Sequence, residues 1–120
     1  MRILVVDDND MQRSGLAEML EGPRYRHAVQ VGYDGTDAVE TFREALASGK
    51  PFDAVISDQQ MSRMNGTELH AAIKAELNAC RFVLMSGSFS DAAKEYAGKE
   101  GIPMFWKPLN GEDVAKMLKV

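Results

Sequence analysis

Cysteine is almost missing from this 120-residue chain: Cys80 stands alone, so no internal disulfide can staple the fold, and a reducing, cytoplasmic setting is expected. No apolar stretch is long enough for a signal core or a membrane span, which removes secretion and membrane insertion from the expected roles. An excess of positive charge is lacking too. Lys and Arg number 14 against 18 Asp and Glu, the net charge is -4 and the sequence pI is near 5.1. That balance argues against a broad electrostatic hold on nucleic acid and favours a basic or neutral partner surface. Repeats, low-complexity tracts and linkers are also missing, so residues 1–120 read as one domain. Hydrophobic residues make up 45% and charged residues 27%, enough apolar material for a real core in a globular chain.

What is present is a series of short apolar runs. Ile3-Leu4-Val5-Val6 has the continuous aliphatic character of a strand covered on both faces, and it stops at Asp7. Ala28 to Val31 is a weaker strand. Phe52 to Ser57 ends at Asp58, Phe82 to Met85 ends at Ser86, and Ile102 to Trp106 ends at Lys107-Pro108. Between these runs lie helical stripes. Met11, Leu16, Met19 and Leu20 form the first. Ala38, Val39, Phe42, Ala45 and Leu46 form the cleanest, and Leu69, Ala72, Ile73 and Leu77 the third. A short helix carries Ala92, Ala93, Tyr96 and Ala97. The last starts at Asn110, capped with help from Asp113, and buries Val114, Met117 and Leu118. Five alternations of strand and helix predict a parallel α/β sheet with right-handed crossovers and helices on both faces. Core packing is the default for the eight methionines. Phe105 and Trp106 alternate across the last strand, which sends one to the core and the other to an exposed, partner-binding surface. His27 and His70 have no ligand or relay spacing and read as surface or partly buried structural residues.

In an open parallel sheet the carboxyl ends of the strands share one edge, where ligands bind. That edge gathers Asp7, Asp8, Asp58, Ser86 and Lys107. Three crowded carboxylates raise the pKa of at least one member unless a cation shares the site. Mg2+ suits such a place, because it takes oxygen ligands, needs only one or two carboxylates and keeps several waters. The ion can bridge an incoming phosphoryl group while Lys107 and the Ser86 hydroxyl meet its other oxygens. One carboxylate is then free to attack phosphorus, and phosphoryl transfer asks for little beyond this positioning and charge stabilisation.

On these residues the chain resembles the receiver domain of bacterial two-component response regulators, the CheY-like superfamily, along essentially its whole length. The resemblance implies a flavodoxin-like three-layer αβα sandwich, with a five-stranded parallel sheet in the order 2-1-3-4-5 and five helices. It implies Asp58 as phosphoacceptor, Mg2+ held directly by Asp8, Asp58 and the backbone carbonyl of Gln60, and Asp7 acting through water. Ser86 becomes the switch hydroxyl, Lys107 the phosphoryl contact, and the peptide before Pro108 is cis. Gln60 and Ser88 flank the phosphoryl group and tune its hydrolysis. A sensor histidine kinase or a histidine phosphotransfer protein is the implied donor, and a downstream protein reads the changed surface. Such a module is a phosphoacceptor that labels and unlabels itself with Mg2+, rather than an enzyme releasing a product. Because the chain ends with its fifth helix, it is expected to be a stand-alone receiver or one cut from a longer protein.

Two positions depart from that pattern. Ser62 stands where a proline is usual after the acceptor, which leaves the loop less stiff. Met104 stands where an aromatic switch residue is usual, three before Lys107, and a flexible methionine predicts a softer or rerouted switch. Blander readings compete. Asp7, Asp8 and Asp10 could cap the first helix, Asp58 could be an ordinary loop acid, Ser86 could be a turn and helix cap, and Lys107-Pro108 a solvated strand end. Two functional rivals are a small haloacid-dehalogenase-like phosphatase built on Asp8-Asn9-Asp10, and a degenerate receiver that binds partners without phosphorylation. A flavin-binding flavodoxin is disfavoured, because Asp7 and Asp8 would repel its phosphate.

Overall fold

The computed structural model describes residues 1–119. The strands are β1 (Arg2–Val6), β2 (Ala28–Gly32), β3 (Ala54–Asp58), β4 (Arg81–Ser86) and β5 (Met104–Trp106). The helices are α1 (Asp10–Glu21), α2 (Gly35–Ala47), α3 (Gly66–Ile73), α4 (Asp91–Glu100) and α5 (Gly111–Leu118). Every strand pair is parallel and the order is β2-β1-β3-β4-β5. The chain reverses direction across the sheet at β1 and β3, the position where such folds open a ligand crevice.

Strand periodicity divides the core in two. Leu4, Val6, Val55 and Leu84 point to one face, where Phe42 of α2, Leu69 and Ile73 of α3, and Ala93 and Ala97 of α4 cover them. Ile3, Val5, Ile56, Val83 and Met85 point to the other, under Leu16 and Leu20 of α1 and Val114 and Met117 of α5. Each helix has its own cap: Asn9, Asp34, Asn65, Ser90 and Asn110, the third and fifth as reciprocal capping boxes with Glu68 and Asp113.

Several expected details shift. Met11 and Met19 are exposed at 85% and 44%, because α1 meets the sheet through the stripe Arg13, Leu16, Ala17 and Leu20, and both methionines lie off it. Ala72 and Ala92 face solvent for the same reason. The third helix ends at Ile73, and a 3-10 turn over Lys74–Glu76 carries the chain to half-buried Leu77. The fifth strand starts at Met104 rather than Ile102. The Ile102 amide is used to close α4 on Ala97, behind left-handed Gly101, and Pro103 has no N–H to donate. His70 is fully inside, its Nδ1 2.9 Å from the Tyr96 hydroxyl and its ring edge-on to Phe82. His27 stays half-buried beside the N-terminal amine. Burial, with help from Asp53, pushes the Cys80 thiol up to about 12, so it stays protonated and unreactive. Among the described residues no helix is long and apolar enough to cross a membrane.

Gly66 is fixed by close approach. A Cβ there would stand 2.5 Å from the Leu84 Cδ2 and 2.7 Å from the Asp58 carbonyl oxygen. Gly66→Ala is expected to cost about 1–3 kcal/mol through overpacking, read as a lower urea midpoint with an unchanged slope. An unchanged midpoint would show that the α3–β3 contact yields freely.

Candidate functional site: an acidic pocket at the strand ends

Strand β1 delivers Asp7 and Asp8, β3 delivers Asp58, β4 delivers Ser86, and the residue after β5 is Lys107. The sheet register sets Asp58 beside Met85, and Ser86 beside Trp106. One carboxylate oxygen from each of Asp7, Asp8 and Asp58 lies within 4.8 Å of the others. The Lys107 ammonium sits 3.0 Å from Asp7 Oδ2 and 3.0 Å from Asp58 Oδ1, and it also donates to the Gln12 side-chain oxygen. Asp7 and Ser86 are fully buried, whereas Asp8 is open to solvent. Asp7, Asp8, Asp58 and Lys107 therefore meet in one crevice, and Ser86 ends the strand that pairs with that of Asp58.

The blander roles are filled by others. Asn9 caps α1 and Ser90 caps α4, which leaves Asp8 and Ser86 clear of capping. The Lys107 side chain is only 17% exposed and salt-bridged, so it is not a solvated strand end. The peptide before Pro108 is cis, as the resemblance implied. Asp10 stays outside the acidic trio: its side chain is 87% exposed and pairs with Arg13 at 2.6 Å. The aspartate-spacer-aspartate arrangement needed by a phosphatase is thus not assembled.

Burial holds the Asp58 carboxyl above the ordinary aspartate range. The Lys107 hydrogen bond pulls it back, and the Asp7 and Asp8 charges push it up again. A hard oxygen donor set with surplus negative charge fits a divalent cation, and Asp7, Asp8 and Asp58 are the residues able to hold one.

Four polar contacts escaped the sequence reading. The Ser86 hydroxyl donates to the Gln60 side-chain oxygen, while the Gln60 amide nitrogen donates to the Ser88 carbonyl at 2.6 Å. Arg13 is buried; its Nη1 donates to the Asp7 carbonyl at 2.9 Å, and its guanidinium lies 4.4 Å from the centre of the Tyr33 ring. In the loop after Asp58, Arg63 pairs with Asp34 at 2.8 Å. The α2 amides, led by Asp37 N–H, together with Arg63 hold the Asp34 carboxyl below its usual range. The loop carrying Ser62 in place of proline is thereby anchored by charge. Arg13 had a signal, since it shares the helical stripe of Leu16, Ala17 and Leu20; the glutamine contact had none. Met104 is half-buried against the α4-side core, Phe105 packs under the opposite face, and Trp106 is 48% exposed, edge-on to Phe89 with ring centres 5.0 Å apart.

This fold and pocket define a CheY-like flavodoxin domain with an acid, hydroxyl and lysine crevice. A family model for the response regulator receiver domain matches residues 3–119, and the chain belongs to that family. It is 27% identical over 120 residues to the response regulator protein VraR of Staphylococcus saprophyticus, covering 99% of this chain and 55% of that one. It is 33% identical over 119 residues to the transcriptional regulatory protein ZraR of Salmonella typhimurium, covering 98% and 25%. The chain thus spans about half the length, or less, of these curated relatives. Among solved structures, the Vibrio cholerae chemotaxis protein CheY4 superposes with a TM-score of 0.80 at 25% identity, covering 98% of this chain and 94% of that one. A response regulator from Burkholderia pseudomallei, solved with a phosphorylated aspartic acid, a calcium ion and citrate, superposes with a TM-score of 0.79 at 26% identity over 99% and 66%.

The raised Asp58 carboxyl has a stability consequence of definite sign. The folded state holds that proton more tightly than the unfolded chain, whose aspartates titrate at about 3.9. Stability contributed by protonated Asp58 is therefore lost as pH rises from there through the raised folded value. With chelator present at pH 7, Asp58→Asn should melt above wild type, and a divalent cation should raise the wild-type midpoint more than that of the variant. Equal melting in chelator would contradict the charge crowding.

Proposed function

We propose that this chain is the receiver module of a two-component phosphorelay, taking a phosphoryl group from a histidine of a sensor kinase or phosphotransfer protein onto Asp58. The observation carrying the reading is the Lys107 ammonium, equidistant from Asp7 and Asp58 inside an acidic trio that one lysine does not neutralise. A carboxylate oxygen of Asp58 attacks phosphorus, the bond from phosphorus to the donor imidazole nitrogen breaks, and its electron pair returns to the ring. Lys107 stabilises charge on the transferred group and keeps the Asp58 oxygen aimed. Ser86, at the end of the neighbouring strand, supplies a hydroxyl donor to a phosphoryl oxygen.

Mg2+ is the cation proposed for the pocket, where Asp8, Asp58 and the Gln60 backbone carbonyl would hold it, with Asp7 acting through water. Once bound it would supply positive charge to offset the carboxylates and the incoming phosphoryl group. Arg13 fixes the Asp7 peptide from below, so the two acids of β1 keep their relative aim. Phosphorylation adds about -1.5 to -2 charge and new acceptor oxygens. Lys107 and Ser86 answer that charge, and the ends of β4 and β5 move with them to a surface recognised by a downstream protein. The setting proposed is the cytoplasm. The full protein's output and its cognate kinase belong to the same proposal.

Acetyl phosphate with Mg2+ tests the reaction without a kinase. Intact-mass analysis should show one added phosphoryl group, lost in chelator, and borohydride reduction should mark position 58 in the peptide map. Asp58→Asn should abolish the label, and Asp8→Asn should weaken it by about tenfold or more, consistent with loss of a metal ligand. A label that survives Asp58→Asn, or that maps to Asp8, would overturn the assignment.

A further inference from the structure

Ser86 has one proton and two acceptors competing for it. Its hydroxyl points to the Gln60 side-chain oxygen and lies 2.9 Å from the Ser88 carbonyl, while the Ser88 N–H donates back to its oxygen at 3.1 Å. The Ser88 carbonyl can only accept, so the Gln60 amide must turn its nitrogen there, at 2.6 Å, and its oxygen to Ser86. One exposed side chain thus ties the hydroxyl at the end of β4 to the segment that follows it. Phe89, at the far end of that segment, is buried and packs edge-on against the exposed Trp106 of β5.

We infer that Gln60 is a positioning residue acting as a resting-state clamp, which holds the Ser86 hydroxyl and the 86–89 segment until a phosphoryl oxygen accepts that hydroxyl's hydrogen bond instead, and that Phe89 and Trp106 carry the release to the β5 surface. The activation half of this inference rests on the proposed phosphoacceptor role of Asp58; the resting clamp does not. A phosphoryl oxygen gains the Ser86 hydroxyl by displacing both resting acceptors, the glutamine oxygen and the Ser88 carbonyl, and the glutamine's share of that opposition is what the clamp adds. With Met104 at the usual aromatic position, the ring that senses this change is the Phe89–Trp106 pair, two residues along β5.

Trp106 is the only tryptophan, so its emission reports the clamp directly. Gln60→Met keeps the length of the side chain and removes both hydrogen bonds. With no phosphoryl donor present, this variant should show a shifted Trp106 emission maximum and stronger acrylamide quenching than wild type. It should bind beryllium fluoride with Mg2+ about three- to tenfold more tightly, the effect of one hydrogen bond no longer opposing the analogue. In a Ser86→Ala background that gain should vanish, because no proton remains to be released. Wild-type emission and quenching in Gln60→Met would overturn the clamp while leaving the phosphoacceptor reading intact. So would an affinity gain that persists undiminished with Ser86→Ala. Beryllium fluoride binding that Asp58→Asn leaves unchanged would instead overturn the phosphoacceptor reading, and with it the activation half of the inference.

Discussion

The ammonium of Lys107, lying between Asp7 and Asp58, is the contact on which the rest of the architecture converges. It joins the ends of β1 and β3 to the end of β5, residues far apart in sequence. Against three clustered carboxylates it supplies one positive charge, which leaves two negative charges uncompensated. Water cannot screen them well, because Asp7 is fully buried and Asp58 nearly so. That imbalance is what disposes the crevice to a divalent ion, and it also keeps the Asp58 carboxyl above its ordinary range. A fold that buried the same residues for stability alone would have paired them off.

Much of this was legible because the sheet is parallel. A strand covered on both faces must be apolar throughout, so each run is conspicuous and its end is marked by the first polar residue. Asp7, Asp58, Ser86 and Lys107 could be assigned to one edge without any knowledge of side-chain geometry. Strand order followed from the resemblance, and the observed order agrees with it. The errors lie where periodicity is weakest. Met11 and Met19 are apolar yet sit off the buried stripe of α1, while Arg13 sits on it. A hydrophobicity pattern cannot tell that a guanidinium will satisfy a buried carbonyl and stack on Tyr33. The start of β5 was misjudged because backbone amides decide it, and Ile102 spends its amide on closing α4.

The Gln60 contacts were invisible for a different reason. A glutamine two residues past Asp58 reads as neutral and polar, and nothing in the chain says which way its amide faces. Orientation is fixed by a carbonyl 28 residues away in sequence. Side-chain hydrogen bonds between loops depend on the relative placement of two strand ends, which exists only after the sheet has formed.

Two departures from the common pattern are mutually consistent once geometry is considered. Ser62 removes a proline constraint from the loop after Asp58, yet Arg63 restores anchorage by reaching Asp34, the cap of α2. Met104 removes an aromatic ring from the first position of β5, yet alternation places Trp106 on the same face, over Phe89. Moving the ring two residues along the strand brings it next to the segment that Gln60 and Ser86 restrain. The restraint and the ring therefore act on one stretch of backbone, residues 86–89, and the route from the hydroxyl to the surface crosses a single buried side chain, Phe89. A short path of this kind suits a domain whose interior is packed too tightly for gradual deformation.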